Sequence, residues 1–263
     1  MAGESESVSE AAVDTESVDI ANSVLGKIRL ILEAFDIDDV ELSLSELARR
    51  TGVSKASVHR LNQELLDWGM LERAGDKYRL GLRAFELGSR VPRTRLLREA
   101  LGPYLESLHF ASRETVHLAV RDGTDVLYLD KVNGIRQTTK PSRVAGRMPL
   151  HCTATGKVLL AYGRSDIFRE IVERGLTRQT PKTIVAPKVL ADQIRRIREQ
   201  GYATEQEETT AGYGSVAVPI FGTSGIVVAA MSLTVPTFRI NVARHLADLQ
   251  AVRKQIESAG VLN

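Results

Sequence analysis

Apolar positions change their period along the chain, and each change marks an element. Val24, Ile28, Ile31 and Phe35 recur at helical spacing behind Ser23, a serine suited to an N-cap. In SLSELARRTG, Ser43 and Glu46 stand three apart ahead of the apolar run, the spacing of a capping box, and Gly52 is placed to end the helix. One residue later Ser54 can cap a third helix, which turns Val58, Leu61 and Leu65 inward. Gly69 closes it, and MLERAGDKYRLG reads as two short strands around Ala74-Gly75-Asp76.

Beyond this hairpin the pattern predicts a short helix from Leu82 to Gly88, a hinge at Pro92, and a longer helix striped by Leu96, Leu97, Leu101, Leu105 and Leu108. Gly102-Pro103 is a candidate kink in that helix. Alternation from Thr115 to Arg121 and from Val126 to Val132, around Asp122-Gly123, predicts a hairpin. PLHCTATGKVLLAYG predicts a loop feeding a helix near Thr153. VLADQIRRIREQG predicts a helix that packs through Val189, Leu190, Ile194 and Ile197 and stops at Gly201. SVAVPIF and IVVAAMSLTV are apolar enough for the middle of a sheet, with Gly222-Thr223-Ser224-Gly225 between them. A last helix, Asn241 to Ala259, packs through Val242, Leu246, Leu249, Val252 and Ile256. The fold class is therefore mixed α/β (α+β), with helices on one or both faces of a sheet.

The chain of 263 residues suits two ordinary domains. We divide it into an acidic tail (1–22), a three-helix and hairpin module (23–81), a linker helix and hinge (82–95), and a larger domain (96–263). The tail carries Glu4, Glu6, Glu10, Asp14, Glu16 and Asp19 and neither Lys nor Arg, a composition expected to be disordered. With no long apolar run and no signal-like start, a soluble cytoplasmic protein without a membrane partner is expected. The lone Cys152 excludes an internal disulfide framework.

Net charge is only +2, so placement of the cations matters more than their sum. From Ser43 to Arg90, nine Lys or Arg face six Asp or Glu. Two helices joined by a tight glycine turn match a helix-turn-helix, and the hairpin behind them reads as a wing. Ser54, Lys55, Ser57, His59 and Arg60 occupy the first two turns of the third helix, where a helix in the major groove presents side chains to base edges. Arg73, Lys77 and Arg79 on the wing are placed for phosphates. Ser43 and Arg49 of the preceding helix complete the candidate DNA-binding set. The alternative is a solvated three-helix module whose cations serve solubility.

Enzyme motifs fail in the larger domain. TATGKV lacks the first glycine of a phosphate loop, because His151 stands there, and Val158 replaces the magnesium-binding hydroxyl. Ser224 lacks the second glycine of a nucleophile elbow and reads as a turn residue. His151 and Cys152 are adjacent and the other histidines scattered, so neither metal nor cofactor is expected. Glu205, Glu207 and Glu208 read as a solvated loop, with no paired acid to support general acid–base catalysis. A binding site remains: a helix start near Thr153 suits a small anion such as a carboxylate. The stretch Lys131, Arg136, Lys140, Arg143 and Arg147, free of acids, is either an attractor for such an anion or a plain basic loop.

Four segments, SKASVHRL, YRLGLRAFELG, PLHCTATGKVLLA and GYATEQEETTAGYGSVAVPI, make the chain similar to the IclR family of bacterial transcriptional regulators over nearly everything after Asn22. The last two, in this order and spacing, carry the resemblance. It implies a winged helix-turn-helix, a linker helix and a GAF-like effector-binding domain, assembled as a homodimer or a dimer of dimers. The implied function is transcription regulation, more often repression, through double-stranded operator DNA, controlled by a small catabolic metabolite such as an organic or aromatic acid. Carried over by position, the effector-binding residues are Ala154, Thr155 and Gly156 at the helix start, Glu205, Tyr213, Ser215, and Ser232 as the floor. The chain departs from the family pattern at Ser215, where many members have cysteine, at Val235, where glycine is usual, and at Asn62, where an apolar residue is common. A metabolite-binding enzyme with an N-terminal association module is the main alternative. A DNA-binding protein whose second domain only oligomerises is another.

Overall fold

The structure, a computed structural model, describes residues 23–134 and 142–262. The acidic tail and, in the basic stretch, Arg136 and Lys140 lie outside the described residues. The chain separates into two compact units, dividing between Pro92 and Arg93.

In the first unit, α1 (Val24–Glu33), α2 (Leu44–Thr51) and α3 (Lys55–Trp68) precede β1 (Leu71–Ala74), β2 (Lys77–Leu80) and α4 (Leu82–Ser89). The predicted caps are made. Ser23, Ser43 and Ser54 each accept a backbone N–H from three residues ahead. The capping box is only half closed, because the Glu46 carboxylate turns outward to Arg49 and Arg50 instead of back to Ser43. Gly52 ends α2 at φ +68°, a left-handed conformation that disfavours a Cβ and turns the chain into α3 within two residues. β1 and β2 pair antiparallel around Gly75-Asp76, and Leu42 adds a bridge to Tyr78. Ile31, Leu47, Val58, Leu61, Leu65 and Tyr78 form the core. Val24 was expected inside with Ile28 and Ile31, but it is exposed, as is Leu25.

The second unit is built on a six-stranded, wholly antiparallel sheet in the order β5-β4-β3-β8-β7-β6. Its strands are β3 (Thr115–Asp122), β4 (Asp125–Val132), β5 (Arg147–Pro149), β6 (Ala203–Gln206), β7 (Tyr213–Phe221) and β8 (Val227–Pro236). As predicted, the two most apolar strands, β7 and β8, lie inside the sheet. Helices cover both faces. On one, α5 (Pro92–Ser112) and α9 (Val242–Ala259) pack over Val116, Leu118, Val218, Met231 and Leu233. α5 runs helical through Pro103. Leu96 departs from the predicted stripe, at 57% exposure, because it falls to the side of the Leu97, Leu101, Leu105 and Leu108 row.

On the other face lie α6 (Ala154–Ala161), α7 (Ser165–Glu173) and α8 (Pro187–Gln200). α8 packs through Leu190, Ile194 and Ile197, whereas Val189 is exposed. Side chains alternate along a strand, so the partners of the large residues beneath α5 are Ala119, Ala217, Ala230 and Ala203 beneath α6. Such small residues let a helix buried at every position come close to the sheet. At the N-terminal end of α6 the same face changes from alanine to polar residues.

Candidate DNA-binding face and effector cavity

The nucleic-acid candidates fall on α2, α3 and the β1–β2 hairpin, with Ser43 and Ser54 at the caps of the two helices. Lys55, His59 and Arg60 are exposed on α3, as predicted, and so are Arg49, Arg73 and Arg79. Ser54 is committed to its cap and donates to Ser57 Oγ at 3.0 Å, which makes this serine pair a helix-start device before it is a contact. Ser43 is likewise engaged as a cap.

Most of these cations rest on the unit's own acids. Arg60 pairs with Glu64 at 2.6 Å, Arg49 with Glu46 at 2.6 Å, Lys77 with Glu41 at 2.6 Å, and Arg79 with Glu72 at 2.8 Å. Arg73 lies over the Tyr78 ring, 4.5 Å from its centre. The Arg49 and Arg50 guanidiniums hold the Glu46 carboxyl down to about 2, so this pairing persists across the physiological range. Exposed ion pairs are weak, and a phosphate can replace a carboxylate in each.

Asn62, facing the core between Val58 and Leu65, is fully buried. Neither its amide nitrogen nor its oxygen has a hydrogen-bond partner among the described residues. Period alone could not separate it from its apolar neighbours.

The effector candidates converge in the second unit. Strand register brings Glu205 opposite Ser215, Ser215 opposite Thr234, and Ser232 opposite His117, all on the α6 face. Together with Ala154, Thr155 and Tyr213 they line one cavity, whose interior has about 20 Å³ free to water centres. That is room for on the order of one water molecule. Gly156 does not line it. A Cβ there would fall 2.3 Å from the Leu150 carbonyl oxygen, so glycine is required for the loop to pass beneath α6. Thr153 caps α6 by accepting the Gly156 N–H at 3.0 Å.

The expected solvated acidic loop is corrected. Glu205 lies in β6 and is 4% exposed, and Glu208 is 6% exposed. Only Glu207 stays near solvent, paired with Lys182 at 3.0 Å. Glu208 instead pairs with Lys157, whose side chain is wholly buried. The lysine that imitates a phosphate-loop lysine in TATGKV is therefore an internal counter-ion. Of the basic stretch, Lys131 donates to the Ser142 carbonyl at 2.6 Å and Arg147 pairs with Asp122, so neither lines the cavity. Cys152 is buried, and burial pushes its thiol up to about 12, far from a reactive thiolate. Among the described residues no cluster of His, Cys, Asp or Glu could hold a metal ion, and no helix is long and apolar enough to cross a membrane.

The family models that match are the IclR helix-turn-helix domain over residues 24–75 and the bacterial transcriptional regulator IclR C-terminal domain over residues 91–259. The chain belongs to the IclR family. It is 33% identical over 246 residues to the transcriptional regulator KdgR of Escherichia coli, covering 91% of this chain and 93% of that one. It is 30% identical over 215 residues to the transcriptional repressor AllR of Salmonella typhi, covering 81% and 76%. An IclR homologue from Microbacterium hydrocarbonoxydans, solved with 4-hydroxybenzoate, superposes with a TM-score of 0.84 at 30% identity, over 90% of this chain and 99% of that one. Like its relatives, this IclR-family chain is a DNA-binding transcriptional regulator, with the helix-turn-helix and mixed α+β domain expected of it.

Sequence reasoning missed several residues that line the IclR-type cavity here: His117, Tyr128, Ser142, Thr209, Thr210 and Thr234. A signal for some existed. Thr115 and His117 alternate with Val116 and Leu118, and Ser232 and Thr234 with Leu233 and Val235, marking a polar patch on one face. The patch becomes a site only once register sets β3, β8, β7 and β6 side by side.

Proposed function

We propose that the chain is a repressor that binds its operator as a homodimer or dimer of dimers in the cytoplasm, has no catalytic activity, and is released or retained by a small organic acid. Lys55, His59 and Arg60, with Ser57, read bases. Arg49, Arg73, Lys77 and Arg79 hold phosphates, while Ser43 and Ser54 fix the helix starts. The acid binds between the start of α6, at Ala154 and Thr155, and the polar face of Glu205, Tyr213, Ser215 and Ser232. The observation that carries this reading is the cavity at the end of α6, lined by polar side chains from adjacent strands. Effector control requires that the acid bind the operator-competent and incompetent conformations unequally.

The test is fluorescence anisotropy of the purified chain on DNA from upstream of its own gene, across a panel of small aliphatic and aromatic acids. Salt-dependent operator binding that shifts with an acid which also raises the melting temperature is expected. Turnover of the bound acid, or operator affinity indifferent to every stabilising acid, rejects the reading.

A further inference from the structure

The cavity holds a continuous row of hydrogen bonds with one polarity. Glu205 Oε2 accepts the Glu208 N–H at 3.0 Å, and Glu205 Oε1 accepts the Ser215 hydroxyl at 2.9 Å. With the Ser215 proton so used, its oxygen accepts from Thr234 Oγ1 at 2.9 Å. With the Thr234 proton used in turn, His117 Nδ1 must carry the hydrogen of their 3.4 Å contact. Its neutral ring then leaves a lone pair on Nε2, which accepts from Ser142 Oγ at 2.5 Å. Burial keeps this imidazole neutral, holding it down to about 3.

Adding one proton to Glu205 reverses every link. Oε2 still faces the Glu208 N–H, so the proton sits on Oε1 and donates to Ser215. Ser215 then donates to Thr234, Thr234 to His117 Nδ1, and His117 Nε2–H points at Ser142. Protonation at one end of the row thus converts the other end from an acceptor to a donor. This step is within reach, because burial raises the Glu205 carboxyl to about 7.

The surroundings decide which ligand suits each form. Among the described residues no Lys or Arg lines the cavity. Lys157 is engaged by Glu208, and beyond His117 Lys131 is engaged by the Ser142 carbonyl. Besides Tyr213, which also lines the cavity, Cys152 and Tyr128 face the row, and burial pushes both up so that they stay neutral. Among the described residues a carboxylate entering here meets no lining cation, only the N-terminal end of α6, and would oppose an ionised Glu205. Resting on the effector reading above, we propose that the cavity takes a carboxylate together with one proton: the Ser142 hydroxyl, turned from donor to His117 into donor to the ligand once His117 Nε2–H points at it, meets the carboxylate, and Glu205 stores the proton at the other end. His117 is then the residue that sets preference for a carboxylate over an alcohol, since an alcohol can donate to the unprotonated form without proton uptake.

The row can be tested without any ligand. Long-range 1H–15N spectra of the full chain with labelled histidine, His117 being assigned by its loss in His117→Asn, report the tautomer. The hydrogen should sit on Nδ1 at pH 8.5 and on Nε2 at pH 6, exchanging near pH 7. In Glu205→Gln the carboxamide oxygen faces Glu208 N–H and its NH2 faces Ser215, which should lock Nε2–H at every pH. A His117 with one fixed tautomer from pH 6 to 8.5, or one that charges in that range, overturns the proposal. With 4-hydroxybenzoate as probe, calorimetry at pH 8 in phosphate and in Tris should show uptake of about one proton, and affinity should fall about fifty-fold from pH 7 to pH 9. Zero uptake with equal affinity at both pH values also overturns it. A fixed tautomer with acid-sensitive operator binding rejects the row alone. A switching tautomer with operator binding that ignores every acid rejects the effector reading instead.

Discussion

The candidate DNA-binding face and the effector cavity place their charges in opposite ways. In the DNA-binding unit, cations and acids meet at the surface, where either partner can be exchanged for water or phosphate. Around the effector cavity a cation and two acids are sealed inside, where Lys157 pairs with Glu208 and Glu205 is held by hydroxyl and N–H groups. The same residue types therefore serve opposite ends. Exposed pairs leave the binding face adaptable, while buried charges fix the shape of the cavity because they have nowhere else to go.

The contrast breaks most sharply at the buried pair. Lys157→Ala should destabilise the effector unit by about 3–5 kcal/mol, since it strands the Glu208 charge. Lys157→Met with Glu208→Leu should recover most of that. Urea titration followed by circular dichroism is the measurement, because the single tryptophan, Trp68, reports on the other unit. Should Lys157→Ala prove as mild as removing a surface pair, the buried charges are not what holds the cavity.

Glu205 sharpens the comparison through pH. Its folded value, about 7, lies above its ordinary 4.5, so the native state holds a proton that the unfolded chain has lost in between. This contribution is fully present below pH 4.5 and is lost as pH rises through 7. Glu205→Gln should remove that pH dependence, worth on the order of 3 kcal/mol at pH 8. Thermal unfolding of both proteins at pH 5 and pH 8 checks it.

In the first unit the core carries its own liability. Asn62→Leu should stabilise it by about 1–3 kcal/mol by removing a buried amide that has no partner among the described residues, followed by Trp68 fluorescence. No gain would mean that the amide is satisfied in solution. The smallest effects belong to the surface. Arg60→Ala should reduce discrimination between operator and random DNA by about 1–3 kcal/mol. Lys77→Ala should weaken binding to both alike and lower the salt slope by about one. Equal losses on both DNAs for Arg60→Ala would make that arginine another phosphate contact.

Much of this was legible in the chain. Ser23, Ser43 and Ser54 cap where the pattern puts them, Gly52 and Gly201 stop their helices, and β7 and β8 lie inside the sheet as their apolar runs require. These features are local, set by three- or four-residue chemistry or by side-chain period. What the linear pattern misplaced depends on distant partners. Val24, Leu96 and Val189 fit an apolar stripe but lie outside the packed face, and Glu205 and Glu208 look solvated until β6 pairs with β7 and α6 is laid over them.

The sequence by itself determined the elements, their caps and turns, the polar leading edge of α3, and the family to which the chain is similar, because each is written in neighbouring residues or a short motif. Only the tertiary structure decided that Glu205, Ser215, Thr234 and His117 form one row, that Lys157 is the counter-ion of Glu208, and that most of the candidate DNA-binding cations rest on acids of their own unit. The physical reason is that desolvation and hydrogen-bond polarity depend on what stands across a strand or above a sheet, and residues as far apart as His117 and Thr234 meet only when the register is set.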